Sequence, residues 1–182
     1  YYDKAEQFIG VVGSHEGLRS APDGLFHDPP PPKAHELLIQ RASHKMGIPC
    51  IPNRRAVITR ALNGRPACHY CGQCGRGCRA GSNYSASQTQ IFPALETGRL
   101  ELIDMAMARE ILTDETGLVN GVVYVDKRSG QERRLSCRVL VLAASACESA
   151  RLLLNSKSSY HQDGTANSSG MVGRYLMDTV GY

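Results

Sequence analysis

A chain of 182 residues with 42% hydrophobic and 21% charged side chains is long enough to bury a core and lies in the ordinary globular range, which excludes a low-complexity or disordered tract. Its net charge of +4 comes from scattered Lys and Arg, clustered only at Arg54-Arg55, Arg76/Arg79 and Arg133-Arg134, and aromatics make up 6%. With no basic stripe interleaved with aromatic side chains, no nucleic-acid partner is expected, and no apolar run approaches the roughly 20 residues that a membrane-spanning helix needs. The chain opens on Tyr1 rather than Met and stops just after the run Gly170–Asp178, so both ends read as cuts in a longer protein, and export is left open.

Residues 1–33 combine a short apolar patch (Phe8, Ile9, Val11, Val12) with several glycines and the run Pro29–Pro32. Each proline ring fixes its own φ and restricts the residue before it, so this segment reads as a long surface connection. From Lys33 onward Ala34, Leu37, Leu38, Ala42 and Met46 repeat at helical spacing, and Gly47 followed by Pro49 predicts the stop. A short strand is expected over Ala56–Arg60, then a loop over 64–83 whose glycines and cysteines leave little to form regular structure. Pro93 at a first helical position opens a short helix, Pro93–Thr97, that Gly98 ends.

Leu100–Ile103 and Ala106–Leu112 read as strands, Asp114–Gly117 as a turn, Val119–Val125 as an alternating strand, Ser129-Gly130 as a second turn and Arg133–Cys137 as another strand. The last three strands make a meander. Val139–Ala144 is a continuous apolar run, the pattern of a strand buried on both faces of a parallel sheet, and a helix is expected at Cys147–Leu154. This order resembles the FAD-binding fold of the glutathione-reductase type, an α/β fold in which an antiparallel meander replaces one crossover of a parallel sheet. An ordinary α+β domain built from the same elements is the alternative that periodicity leaves open.

The strand-to-helix junction is Leu142-Ala-Ala-Ser-Ala-Cys-Glu-Ser-Ala-Arg-Leu-Leu-Leu-Asn-Ser156. Small residues at Ala143, Ala144, Ser145 and Ala146 let a ligand approach the backbone, and the N–H groups that open the helix point where a pyrophosphate would sit. Such a turn taken alone is commonly just packing. The run, however, resembles the second sequence motif of the glucose–methanol–choline (GMC) oxidoreductases: alanine–glycine–alanine, an acidic residue, Ser, then Arg-Leu-Leu. The opening Tyr1–Gly13, the stretch His69–Asn83, Phe92-Pro-Ala-Leu95, the meander and Asn167–Asp178 resemble the amino-terminal half of that family in the same order. Gluconate or sugar dehydrogenases and long-chain alcohol oxidases look like the nearest branch.

The resemblance implies FAD as cofactor and oxidation of a CH–OH group of a small alcohol, sugar or sugar acid, with hydride passing to flavin N5. It implies a catalytic base, generally His, carried outside this chain, so no catalytic residue is assigned and the electron acceptor stays open. It maps adenine contact onto the backbone of Ala108 and the alanine–glycine–alanine turn onto Ala144, Ser145 and Ala146. Ser145 replaces the usual Gly, so a positive φ there would strain the backbone, and any other φ would mean a reshaped loop. Thr179 stands where an Asp–His pair is common, which puts a polar role for Asp178 in doubt. The glycine-rich FAD fingerprint is missing, since Gly75–Gly81 has the wrong spacing; the chain by itself is expected to be inactive and to hold no flavin. The implied organisation is a helix and cysteine-rich region over 1–92, an FAD-binding strand–meander–strand–helix segment over 93–156, and a lead into the substrate domain over 157–182.

Four of the seven cysteines, Cys68, Cys71, Cys74 and Cys78, carry the C-x2-C-x2-C-x3-C spacing of bacterial iron–sulfur ligands. Arg79 follows where that pattern has Pro, and there is no second run, so a cluster would draw all four ligands from this loop or three of them plus a distant thiol such as Cys50. Zinc pairs are normally separated by a longer spacer. A disulfide within the loop, or four reduced thiols packing a glycine-rich turn, are the structural alternatives. A metal-binding electron-transfer module without its own substrate chemistry is the rival function, against which the meander and the junction weigh.

Overall fold

The computed structural model describes residues 1–19 and 22–178, and the chain divides into two compact units, Tyr1–Glu101 and Leu102–Tyr182. In the first unit, helix α1 (Tyr2–Ile9) ends on Gly10 in the left-handed conformation, φ 88°. A side chain there would also place its Cβ 2.2 Å from Ile58 Cγ2, so both backbone angle and space demand glycine. The sequence read this segment as connection; eight residues carry too few helical periods to stand out from a loop. Val12 and Ile58, 1% and 2% exposed, form the core of the unit, and the Val12 backbone bridges to both His27 and Arg55. The Arg65 guanidinium is buried and donates to the Ile9 carbonyl at the C-terminal end of α1, where the helix dipole favours a cation. Burial lowers its pKa from the ordinary arginine value.

Helix α2 (Ala34–Lys45) lies where its apolar spacing places it, and the Lys33 backbone N–H donates to the Glu36 carboxylate in its first turn at 2.6 Å. Ala56–Arg60 forms no strand. Val57 makes one isolated bridge, to Asn83. A short π-helical turn, Ser87–Ile91, runs directly into α3 (Phe92–Glu96), so the helix expected at Pro93 is entered one residue earlier.

The second unit is built on the expected meander. Strands β1 (Ala106–Thr113), β2 (Val119–Asp126) and β3 (Glu132–Ser136) form an antiparallel sheet in the order β1-β2-β3. The Asp114 carboxylate closes the first turn by accepting from Thr116 and from the Leu118 N–H; Asp126 accepts from the Arg128 N–H in the second. Register shifts between Ala108 and Glu110, leaving Arg109 as the extra residue of a bulge. Helix α4 (Ser145–Asn155) packs on β1. Ile111 and Leu152 are each 4% exposed, and Ser156 Oγ joins the two elements, accepting from the Ile111 N–H at 2.7 Å and donating to the Leu152 carbonyl at 2.6 Å.

Two expected strands are corrected. Leu100–Ile103 and Val139–Ala144 are not in strand conformation, and Val139 and Val141 are 79% and 85% exposed. A strand exists only through a neighbour's hydrogen bonds, and no described segment pairs with Val139–Ala144, so among the described residues the sheet is the antiparallel β1-β2-β3 and Val139–Ala144 adds no parallel strand to it.

Candidate functional site

The junction that the sequence singled out is open and strained. Ala144 caps α4 with φ −95° and ψ 23° and no side chain accepts from the first turn. Ser145 has φ 68°, the left-handed region that costs an L-residue roughly 1–2 kcal/mol. The departure from glycine therefore falls where glycine is needed. The first N–H groups of a helix have no intrahelical acceptor, and here Ala143 through Ala146 are exposed and end at Cβ or Oγ. Unfilled backbone donors at a positive helix end, without side-chain bulk, are the donor set a pyrophosphate requires, so these residues fit that part of FAD.

Ala108 stands at the bulge, opposite Tyr124. Its carbonyl accepts from Arg151 Nη2 at 3.1 Å, while Arg151 Nε holds Glu148 Oε2 at 2.9 Å. Arg151 thus ties Ala108 to the helix that Ser145 opens. Neither Arg151 nor Glu148 was singled out from the sequence, although their i, i+3 spacing inside the quoted motif was a usable signal. Thr179 lies outside the described residues.

In the first unit Cys68, Cys71, Cys74 and Cys78 all line one cavity of about 200 Å³, together with His69 and Asn83. A short 3₁₀ turn, Cys74–Arg76, and Gly77 at φ 90° fold the loop back on itself. Backbone N–H groups point at two of the sulfurs, Tyr70 at Cys68 (3.3 Å) and Asn83 at Cys78 (3.5 Å). The Asn83 N–H, helped by those of Ser82, Ala80 and Gly81 and opposed by desolvation, holds the Cys78 thiol below its ordinary pKa. All seven cysteines are free thiols, and among the described residues no three His, Cys, Asp or Glu side chains converge as a ligand set. The loop gathers its four cysteines around one space without closing them on a point. A second cavity of about 540 Å³ is walled by Pro29–Pro32 and lined also by Cys50, Cys68 and Cys74, which brings the distant thiol named from the sequence to the same loop.

Comparison with known proteins identifies the family. The GMC oxidoreductase family profile matches residues 28–180, and the chain belongs to the GMC oxidoreductases. Over 99% of its length it is 35% identical to 2-methyl-1,2-propanediol dehydrogenase of Mycolicibacterium austroafricanum, covering 33% of that protein. It is 32% identical over 97% of its length to paromamine 6'-oxidase of Streptomyces fradiae, covering 32%, and 28% identical over 100% to the fructose dehydrogenase large subunit of Gluconobacter japonicus, covering 34%. The chain therefore spans about a third of the length of these relatives. Among the described residues no helix is long and apolar enough to cross a membrane.

Proposed function

We propose that this chain holds the adenine-to-pyrophosphate portion of FAD in an oxidoreductase acting on the CH–OH group of an alcohol, sugar or sugar acid, within a fold of the glutathione-reductase type. The observation that carries this is the uncapped start of α4 at Ser145, bound through Arg151 to the Ala108 backbone. When bound, FAD supplies the acceptor for the substrate hydride at N5. The N–H groups opening α4 bind the pyrophosphate, the small side chains of Ala144, Ser145 and Ala146 admit it, and the Ala108 backbone faces the adenine. Residues 93–156 make this cradle, 1–92 carry α2 and the cysteine loop, and 157–182 lead toward the substrate domain. The relatives' names, two dehydrogenases of a diol and of fructose among them, support a hydroxyl-bearing substrate. In the intact protein, flavin released by heat is expected to be FAD, and anaerobic addition of alcohols, sugars and sugar acids is expected to bleach it with at least one of them. Absence of flavin, or bleaching by none, refutes the assignment.

A second reading takes the four cysteines as iron–sulfur ligands that would relay electrons from flavin to an external acceptor; its alternative is four reduced thiols packing a glycine-rich turn, in line with the finding that among the described residues no three of them converge as a ligand set. It is supported by their common cavity and by the N–H groups aimed at Cys68 and Cys78; hydrogen bonds to sulfur are a feature of such sites. A relay of this kind favours a dehydrogenase over an oxygen-using oxidase. Iron and acid-labile sulfide in anaerobically purified protein, both lost in Cys74→Ser, are the expected result. No iron, with acceptor turnover unchanged in the variant, leaves the cysteines as structure.

A further inference from the structure

We propose that Arg151 is a positioning residue for the cofactor, fastening the Ala108 carbonyl of β1 to the first turns of α4 so that the adenine-facing backbone and the pyrophosphate-facing helix end move as one body. This role presupposes the FAD assignment above. One guanidinium makes both contacts, Nη2 to Ala108 at 3.1 Å and Nε to Glu148 at 2.9 Å. A planar fork held at two points fixes direction as well as distance, which an ammonium cannot do. The Ala108 carbonyl needs such a hold because register is lost between Ala108 and Glu110, and a bulge disrupts the ladder that would otherwise orient it.

Charge gives Arg151 a second task. Glu148 lies in the first turn of α4, beside the place a pyrophosphate would occupy, where a free carboxylate would repel it. Arg151 pairs with that carboxylate and leaves the positive helix end available. The packing of α4 on β1 does not rest on this residue, since Ile111, Leu152 and the Ser156 bonds join the two elements independently. Arg151 variants should therefore fold.

The test uses the intact protein stripped of flavin and titrated with FAD and with flavin hypoxanthine dinucleotide, in which a carbonyl replaces the adenine amine. Wild type, Arg151→Lys and Arg151→Met are compared, with melting of each apoprotein in parallel. Wild type is expected to prefer FAD. Arg151→Met is expected to bind FAD about tenfold more weakly, to lose most of its preference over the analogue, and to melt close to wild type. Arg151→Lys should resemble Met more than wild type. FAD affinity within twofold of wild type in Arg151→Met overturns the proposal, and so does an equal loss for both dinucleotides accompanied by a lower melting temperature, which marks a purely structural role. Wild type that binds no FAD refutes the cofactor assignment itself, a different result from either.

Discussion

Replacing Ser145 with Gly separates backbone strain from cofactor contact at the junction. At φ 68° the serine Cβ crowds the following carbonyl, worth roughly 1–2 kcal/mol. Glycine removes that strain but returns about 0.5–1 kcal/mol through the greater freedom of the unfolded chain. The net expectation is a gain of about 0.5–1 kcal/mol, which in the intact protein raises Tm by less than about 4 °C, since the shift per kcal/mol falls as chain length grows. Flavin occupancy should be preserved, because glycine adds no bulk. Ser145→Val moves both quantities the other way: a β-branched residue is poorly accommodated in the left-handed region, and its extra methyl stands beside the open N–H groups. Thermal melts followed by circular dichroism and the flavin-to-protein absorbance ratio, read on the same preparations, report the two effects separately. A glycine variant that melts below wild type refutes the strain, and equal flavin occupancy in the glycine and valine variants means that the turn does not touch FAD.

Ser156→Ala should cost about 1–3 kcal/mol, because the buried Ile111 N–H loses its acceptor; an unchanged urea midpoint would contradict this. Gly10→Ala should be destabilising by more than about 1 kcal/mol, since φ 88° and the Ile58 contact both oppose a Cβ, and faster proteolysis of the first unit would reveal it. The Asp114 and Asp126 carboxylates sit below their ordinary pKa, Asp114 chiefly through the Thr116 hydroxyl and N–H and Asp126 chiefly through the Arg128 N–H. Groups depressed by folding stabilise above the unfolded carboxylate value, about 3.9, and lose that contribution as pH falls through the folded values. Stability should thus decline on acidification below about pH 4, less steeply in Asp114→Asn; superimposable acid limbs of Tm against pH would show that the turn bonds contribute nothing.

The elements legible in the sequence are those whose signals are local. Asp114–Gly117 and Ser129-Gly130 are turns whose side chains bond their own backbone, and the alternation on either side fixes the meander without reference to anything distant. Helix α2 is legible for the same reason, its start set by Lys33 and Glu36 and its end by Gly47. Val139–Ala144 is different. A continuous apolar run states a demand for burial on both faces, and burial is supplied by neighbours that the run does not itself encode; Val139 and Val141 are exposed where that demand goes unmet.

The site divides along the same line. Ser145 was legible because glycine replaced in a recognised turn poses a question about φ, strain if it is positive and a reshaped loop if it is not, and the structure answers it with a positive angle. The cysteine spacing was legible as a pattern, yet a pattern of letters cannot say whether four thiols meet at a point or only share a cavity, since that depends on how Gly77 and the turn at Cys74–Arg76 fold the loop. Arg151 was visible as a letter in the junction motif and silent about its task, because its partner Ala108 is 43 residues away on a strand whose bulge only the register reveals. A motif names the residues that approach a ligand. The residues that hold those in place are defined by what they reach, and reach appears only when β1 and α4 are set side by side.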